Sequence, residues 1–259
     1  MPNTKTIRAG IAKLPKGPPL VIALTGATTG IGSYIIKTIA RTFAKDGANL
    51  RVYVVGRNAS RAQTLLKYGR ETSPGSDWRF LQVSDLSLMS EVDSISQRII
   101  KEEETSPFCG GPPRLDVLYM SQALSPMQPS NHKIKPNELP IGVPPPASYG
   151  VTTVRTYAVF MKTFFFEELA QKHAGRIAFT HIHPGLVDGP IFYSDVNPMW
   201  LRILWRVLKP LLSWYITSDE RELGGGAYGV GQRGDENKYR VWNHAMEVLE
   251  GIEKKNSAK

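Results

Sequence analysis

The chain has 259 residues, 41% of them hydrophobic, which suits one α/β domain with a sizeable core better than two small domains. Its single cysteine, Cys109, excludes an internal disulfide and fits a reducing compartment such as the cytoplasm. Lys and Arg number 32 against 23 Asp and Glu, and this charge of +9 favours anionic partners; without zinc-finger spacing or an aromatic-basic RNA signature, a nucleic-acid role is not expected.

No acidic residue precedes Asp46, and Lys5, Arg8, Lys13 and Lys16 give the N-terminal stretch a faint transit-peptide composition. Its pattern, Thr6-Ile-Arg-Ala-Gly-Ile-Ala-Lys-Leu14, reads instead as a short helix leading through Pro15 and Pro18 into a first strand. The most informative segment follows, Val21-Ile-Ala-Leu-Thr-Gly-Ala-Thr-Thr-Gly-Ile-Gly32. Val21 to Leu24 predict a buried parallel strand. Gly26 permits a tight turn, while Gly30 and Gly32 let backbone approach phosphates and a helix approach the sheet. The N–H groups and dipole of that helix then face an anion, the position of a dinucleotide pyrophosphate. Thr-Gly-x-x-x-Gly-x-Gly, with Thr28 and Thr29 in the turn and Ile31 between the last glycines, resembles the cofactor fingerprint of the short-chain dehydrogenase/reductase family.

A helix over residues 31–45 and a strand, Leu50-Arg-Val-Tyr-Val-Val-Gly-Arg57, come next. In a dinucleotide-binding fold the end of this strand lies beside the adenosine ribose, where an acid serves NAD(H) and an arginine pairs with the 2′-phosphate of NADP(H). Arg57, with Asn58 beside it, therefore points to NADP(H), the other reading being a solvated surface arginine. A helix over 60–69 precedes a third strand, Trp78 to Val83, and then Ser84-Asp85-Leu86-Ser87. Asp85-Leu86 is similar to the family's adenine-contacting pair; capping the next helix, 89–103, is the other role open to Asp85. A fourth strand spans Leu115 to Ala123. It ends in Ser121-Gln122-Ala123 where most family members place an Asn-Asn-Ala-Gly-like turn, and the resemblance assigns Ser121 and Ala123 to the nicotinamide ribose side.

Residues 124–148 depart from the family. Pro126, Pro129, Pro136, Pro140, Pro144, Pro145 and Pro146 preclude a central helix or strand. The family's interval is longer and holds a core helix and the strand with the catalytic serine; neither is found here. The long apolar helix over 151–173 corresponds to the one that supplies Tyr-x-x-x-Lys, a pair that shares one face and works as proton donor and electrostatic partner beside the nicotinamide. No tyrosine in this chain has a lysine four residues on. Tyr157 with Lys162 is the nearest approximation, although five residues turn the two about 140° apart on a regular helix. Tyr149, with Thr153 in the lysine position, is a second candidate, and a core aromatic is the other reading of Tyr157.

The resemblance resumes with a strand over Arg176 to His183 and with Pro184-Gly185-Leu186-Val187, similar to the family's Pro-Gly-x-Val segment that lines the nicotinamide. Gly189 replaces the threonine that often touches the phosphates there. His181 and His183 are read as structural, and no metal site is expected. Residues 200–216 are almost wholly apolar except for Arg202, Arg206 and Lys209, which share one helical face. The equivalent family segment is a substrate lid, which implies a hydrophobic substrate; an interfacial membrane helix is the rival reading. The glycine-rich run Gly224 to Gly231 reads as flexible, and an amphipathic helix over 239–252 ends the pattern.

The expected fold is α/β, a Rossmann-type doubly wound parallel sheet in a single domain. About 20–123 form the cofactor-binding half, 124–150 a Pro-rich loop in place of helix and strand, and 151–259 the tyrosine helix, last strand, lid and C-terminal helix. The chain looks most like fungal members of the family, including ones from secondary-metabolite pathways. The resemblance implies an NADP(H)-dependent oxidoreductase that interconverts a ketone and a secondary alcohol on a small hydrophobic substrate, and a homo-oligomer built through the tyrosine helix. The rival reading is a catalytically inactive nucleotide-binding protein or a truncated form of an active enzyme.

Overall fold

The computed structural model describes residues 4–86, 88–121, 151–182, 193, 199–211, 227–229, 242–243, 245–247 and 250. These belong to two units, one comprising 1–123 and 186–223, the other 124–185 and 224–259.

In the first unit, helix α1 (Thr4–Lys13) and a short 3-10 turn lead into β1 (Leu20–Thr25). Then follow α2 (Gly30–Thr42), β2 (Leu50–Gly56), α3 (Ala59–Thr72), β3 (Asp77–Gln82), α4 (Met89–Thr105) and β4 (Val117–Met120). The four strands form one sheet of order β3-β2-β1-β4, with every pairing parallel. This is the alternating strand and helix arrangement expected of a Rossmann-type sheet.

Strand β2 is buried along its whole length and β1 at its four central residues, which accounts for their unbroken apolar runs. Alternate side chains enter two separate cores. Ile22, Leu24, Leu50, Val52 and Val54 pack with Ile36 and Ala40 of α2, with Phe43 just after it, and with Leu65 and Leu66 of α3. Val21, Ala23, Tyr53 and Val55 pack on the other face with Ile95 of α4 and Phe108. Helices thus cover both faces, and the sheet is doubly wound.

At the starts of the strands the second core gives way to a buried ionic cluster. Arg51 pairs with Glu103 and Asp77, each at 2.8 Å, and also donates to the Ser106 carbonyl. The Tyr53 hydroxyl donates to Glu103 Oε1 at 2.7 Å, and Arg79 bridges Asp77 and Glu102. Burial and the Glu103 carboxylate together push the Tyr53 phenol pKa far above its usual range, so Tyr53 remains a donor. The guanidinium of Arg51 also lies 4.8 Å from the centroid of the Phe108 ring. The cluster ties the last turn of α4 to β2 and β3.

Strand β4 is held at its start by Asp116. Its carboxylate accepts from Val21 N at 2.7 Å, while its own N–H donates to the Val21 carbonyl. Among the described residues β4 is the sheet edge opposite β3, and Val117, Leu118 and Met120 are exposed.

Helix α6 (Met199–Leu211) belongs to this first unit as well. It buries Trp205 and exposes most of its other large apolar side chains.

In the second unit, α5 (Val151–Lys172) is one uninterrupted α-helix, as its sequence predicts. Phe165 stacks on Trp242 with ring centroids 5.1 Å apart, and the Lys172 ammonium lies 4.5 Å from the same indole centroid. Residues 242–243, 245–247 and 250 are helical, in agreement with the predicted C-terminal helix.

Two sequence expectations are corrected here. Among the described residues the strand expected over 176–183 is only β5 (Thr180–Ile182), because the backbone N–H groups of Arg176 and Ile177 turn back to the His173 carbonyl. The glycine-rich run read as flexible contains β6 (Ala227–Gly229), which pairs antiparallel with β5. Ladder pairing with β5 satisfies a backbone whose glycine-rich composition offers little strand signal beyond Tyr228.

Glu103→Ala would leave Arg51 and the Tyr53 hydroxyl without their shared buried acceptor. It is expected to lower unfolding stability by about 3–5 kcal/mol, measured by urea denaturation. A loss below about 1 kcal/mol would show that the cluster is not structurally important.

Candidate functional site

Nearly all the described candidate residues follow the C-terminal ends of parallel strands, where ligands of open α/β sheets bind. Strand β1 ends at Thr25, and the chain turns through Gly26 (φ 69°) and Gly30 (φ 57°) into α2. Both angles lie in the left-handed region that glycine adopts at no steric cost. Gly32 has a different role. A Cβ on it would stand 2.6 Å from the Ala27 Cα and 2.9 Å from the Gly26 carbonyl oxygen, so only glycine lets α2 start against its own turn.

The N-cap of α2 is Thr29, in extended conformation, without a side-chain capping hydrogen bond, and the first turn contains no acidic residue. A helix start with no capping side chain and no acidic residue in its first turn is the electrostatic setting that a phosphate needs. Ser33 uses its hydroxyl internally, donating to the Gly30 carbonyl at 2.7 Å. The turn formed by Gly26, Thr28, Thr29, Gly30, Ile31 and Gly32 thus fits the pyrophosphate of a dinucleotide.

Beside it, β2 ends at Gly56. A Cβ there would come within 2.7 Å of Thr28 Cγ2, so Gly56 is the seat on which the turn rests. Sequence reasoning missed this role; its only signal was a glycine at the end of an otherwise apolar strand. Arg57 follows with its side chain exposed, and its carbonyl accepts from Gln82 Nε2 at 3.4 Å. Asn58 caps α3, its Oδ1 accepting from Arg61 N at 2.9 Å.

After β3, Leu86 packs against the core that contains Ile95, and Asp85 is exposed. Asp85 does not cap α4. The cap position is Leu88, whose N–H donates to the Asp85 carbonyl at 3.2 Å, leaving Asp85 three residues too early. After β4, Ser121 donates its N–H to the Thr25 carbonyl at 3.0 Å, bringing it next to the start of the glycine turn. Burial raises the pKa of the neighbouring Tyr119 phenol, against the lowering effect of its side-chain hydrogen bond to Ser121.

Tyr157 and Lys162 both lie on α5, and Lys162 is exposed. Ala123, Pro184, Gly185, Val187 and the Tyr157 side chain are outside the described residues. Among the described residues no group of three or more His, Cys, Asp or Glu side chains could hold a metal ion.

A parallel sheet of this order with a glycine turn after its first strand defines a Rossmann-type fold. Comparison with known proteins narrows the class. The short-chain dehydrogenase/reductase SAT2 of Stachybotrys chartarum is 37% identical over an alignment of 353 residues that covers 99% of each chain. The chain therefore belongs to the short-chain dehydrogenase/reductase family of oxidoreductases. Oxidoreductase AN1596 of Emericella nidulans is 24% identical, covering 86% of this chain and 76% of its own. Among solved structures, L-sorbose reductase of Gluconobacter frateurii, complexed with NADPH and L-sorbose, is 16% identical, with 78% of this chain and 86% of that one covered and a TM-score of 0.47. No protein-family model matches the chain. An alignment of 353 residues exceeds the 259 of this chain while reaching 99% of both, so it contains internal gaps opposite this chain.

The two glycines of the turn separate backbone strain from steric closeness. Gly30→Ala meets nothing within 4 Å and carries only the left-handed strain, about 1–2 kcal/mol. Gly32→Ala must displace backbone and is expected to weaken dinucleotide binding by about tenfold or more relative to Gly30→Ala. Fluorescence titration of both variants, with circular dichroism to check the fold, measures the difference.

Proposed function

We propose that this protein is an NADP(H)-dependent oxidoreductase interconverting a ketone and a secondary alcohol on a small hydrophobic molecule, in fungal secondary metabolism. The observation that carries the cofactor assignment is the uncapped, acid-free start of α2 beside the exposed Arg57 at the end of β2. In this reading the first-turn N–H groups of α2 hold the pyrophosphate and Arg57 pairs with the 2′-phosphate, where an acidic residue would repel it. Asn58 borders the same ribose, Asp85 and Leu86 border the adenine, and Ser121, Ala123, Pro184, Gly185 and Val187 border the nicotinamide side. The bound nicotinamide would supply hydride transfer to or from the substrate carbon.

Tyr157 then passes a proton to or from the substrate oxygen, and Lys162 favours the phenolate electrostatically. The apolar segment of α6 supplies substrate contact, which is the reason for a hydrophobic substrate. A second reading, a catalytically inactive nucleotide-binding protein, is favoured by the five-residue separation of Tyr157 and Lys162 on an uninterrupted helix. The internal gaps in the alignment with SAT2 favour it too.

Titration with NADPH and NADH tests the cofactor. NADPH is expected to bind more tightly, and Arg57→Ala to remove about tenfold or more of that preference while leaving NADH binding unchanged. Equal affinity of the unaltered protein for both would overturn the assignment. For catalysis, a carbonyl substrate screen with NADPH should yield turnover that Tyr157→Phe reduces by about a hundredfold or more. Full turnover in Tyr157→Phe would remove Tyr157 from the mechanism, and binding without any turnover would favour the inactive reading.

A further inference from the structure

The face of α6 left open to solvent carries chemistry that a small substrate does not account for. Met199, Trp200, Ile203, Leu204, Val207 and Leu211 are each between 42% and 68% exposed, although all are large and apolar. At helical spacing they fill one arc about 140° wide and about 18 Å long. That length exceeds what a single small molecule covers. Trp205, on the opposite side, is buried and anchors the helix to the protein.

Charge is distributed just as unevenly. Arg206 borders the apolar arc, half-buried Arg202 and Lys209 lie further round on the same side, and residues 199–211 contain no acidic side chain. Lys209 is steadied by Tyr193, whose hydroxyl accepts from its ammonium at 3.3 Å, and Arg206 is exposed. The whole chain carries +9, so nothing in the overall field opposes an anionic surface. No helix among the described residues is long and apolar enough to cross a membrane.

We propose that α6 docks this protein in the plane of an anionic lipid surface, its apolar arc entering the headgroup boundary and Arg206, with the neighbouring cations, pairing with lipid phosphates. Trp200, amphipathic and exposed on the arc, suits the interfacial depth at which indoles settle. The charge border decides in favour of lipid over a second copy of this chain, because a copy would bring an equal positive charge to the contact. The inference rests on the geometry of α6 alone and does not depend on catalytic turnover.

Co-sedimentation of the full chain with vesicles tests it. Vesicles with about one third phosphatidylglycerol should pellet the protein, and pure phosphatidylcholine vesicles should pellet at least about tenfold less. Trp200→Ser combined with Ile203→Ser and Val207→Ser should abolish pelleting, and Arg206→Glu should weaken it severalfold. All four positions are exposed, so the variants should keep the circular dichroism and nucleotide binding of the unaltered protein. Should the triple variant lose its fold, Arg206→Glu alone decides the matter. Protein that stays in the supernatant with both vesicle types overturns the proposal. So does pelleting that these substitutions leave unchanged, or a dimer in light scattering that the triple variant dissociates while vesicles go unbound.

Discussion

Burial of β1 and β2 on both faces is the constraint from which the first unit is built. A strand pair with apolar side chains on either side needs two cover layers, so α2 and α3 pack on one face and α4 on the other. The chain must then return helix by helix to the same end of the sheet. Every strand points its C-terminus at one rim, and that rim collects the glycine turn, Arg57, Asp85 and Ser121. Site geometry is thus a by-product of covering two strands, with Gly56 and Gly32 as the two positions where side-chain-free backbone brings turn, strand and helix together.

What was legible in the sequence is what is local. The apolar run and glycine spacing of residues 21–32 reported a strand, a turn and a helix start because each depends on neighbours within one turn of chain. Helix α5 was legible for the same reason, through its length and composition. The Arg51–Glu103 pair joins residues 52 apart, and Arg51–Asp77 residues 26 apart, so no window of sequence shows them; Arg51 looked like any polar residue interrupting a strand. Gly56 was missed because its reason is Thr28, on another strand's turn. Strand β6 was missed because its backbone partners on β5 lie far away in sequence and Tyr228 is its sole strand-favouring residue, set among glycines. An acid before a helix is a common start signal, which makes Asp85 a cap candidate; α4 begins at Met89 as its pattern predicts, and the cap position is Leu88, three residues beyond Asp85.

Family membership rests on an alignment that is not of even length on the two sides. SAT2 aligns over 99% of both chains, yet that alignment of 353 residues is longer than this chain of 259 and so opens gaps opposite it. On the described side, β4 borders β1 and presents Val117, Leu118 and Met120 to solvent. An edge strand with apolar side chains and unpaired backbone is a surface that folded proteins normally cover or blunt with charge. The clamp from Asp116 to Val21 fixes the register of β4 all the same, so this edge is ordered by β1 whatever lies beyond it.

The ionic cluster of Arg51, Glu103 and Asp77 stands at the starts of the strands, and the glycine turn at their ends. Strand length therefore insulates the two. Side chains in the rim loops can be exchanged without touching the ion pairs at the opposite rim. A protein arranged in this way can change its chemistry, or lose it, and still remain folded.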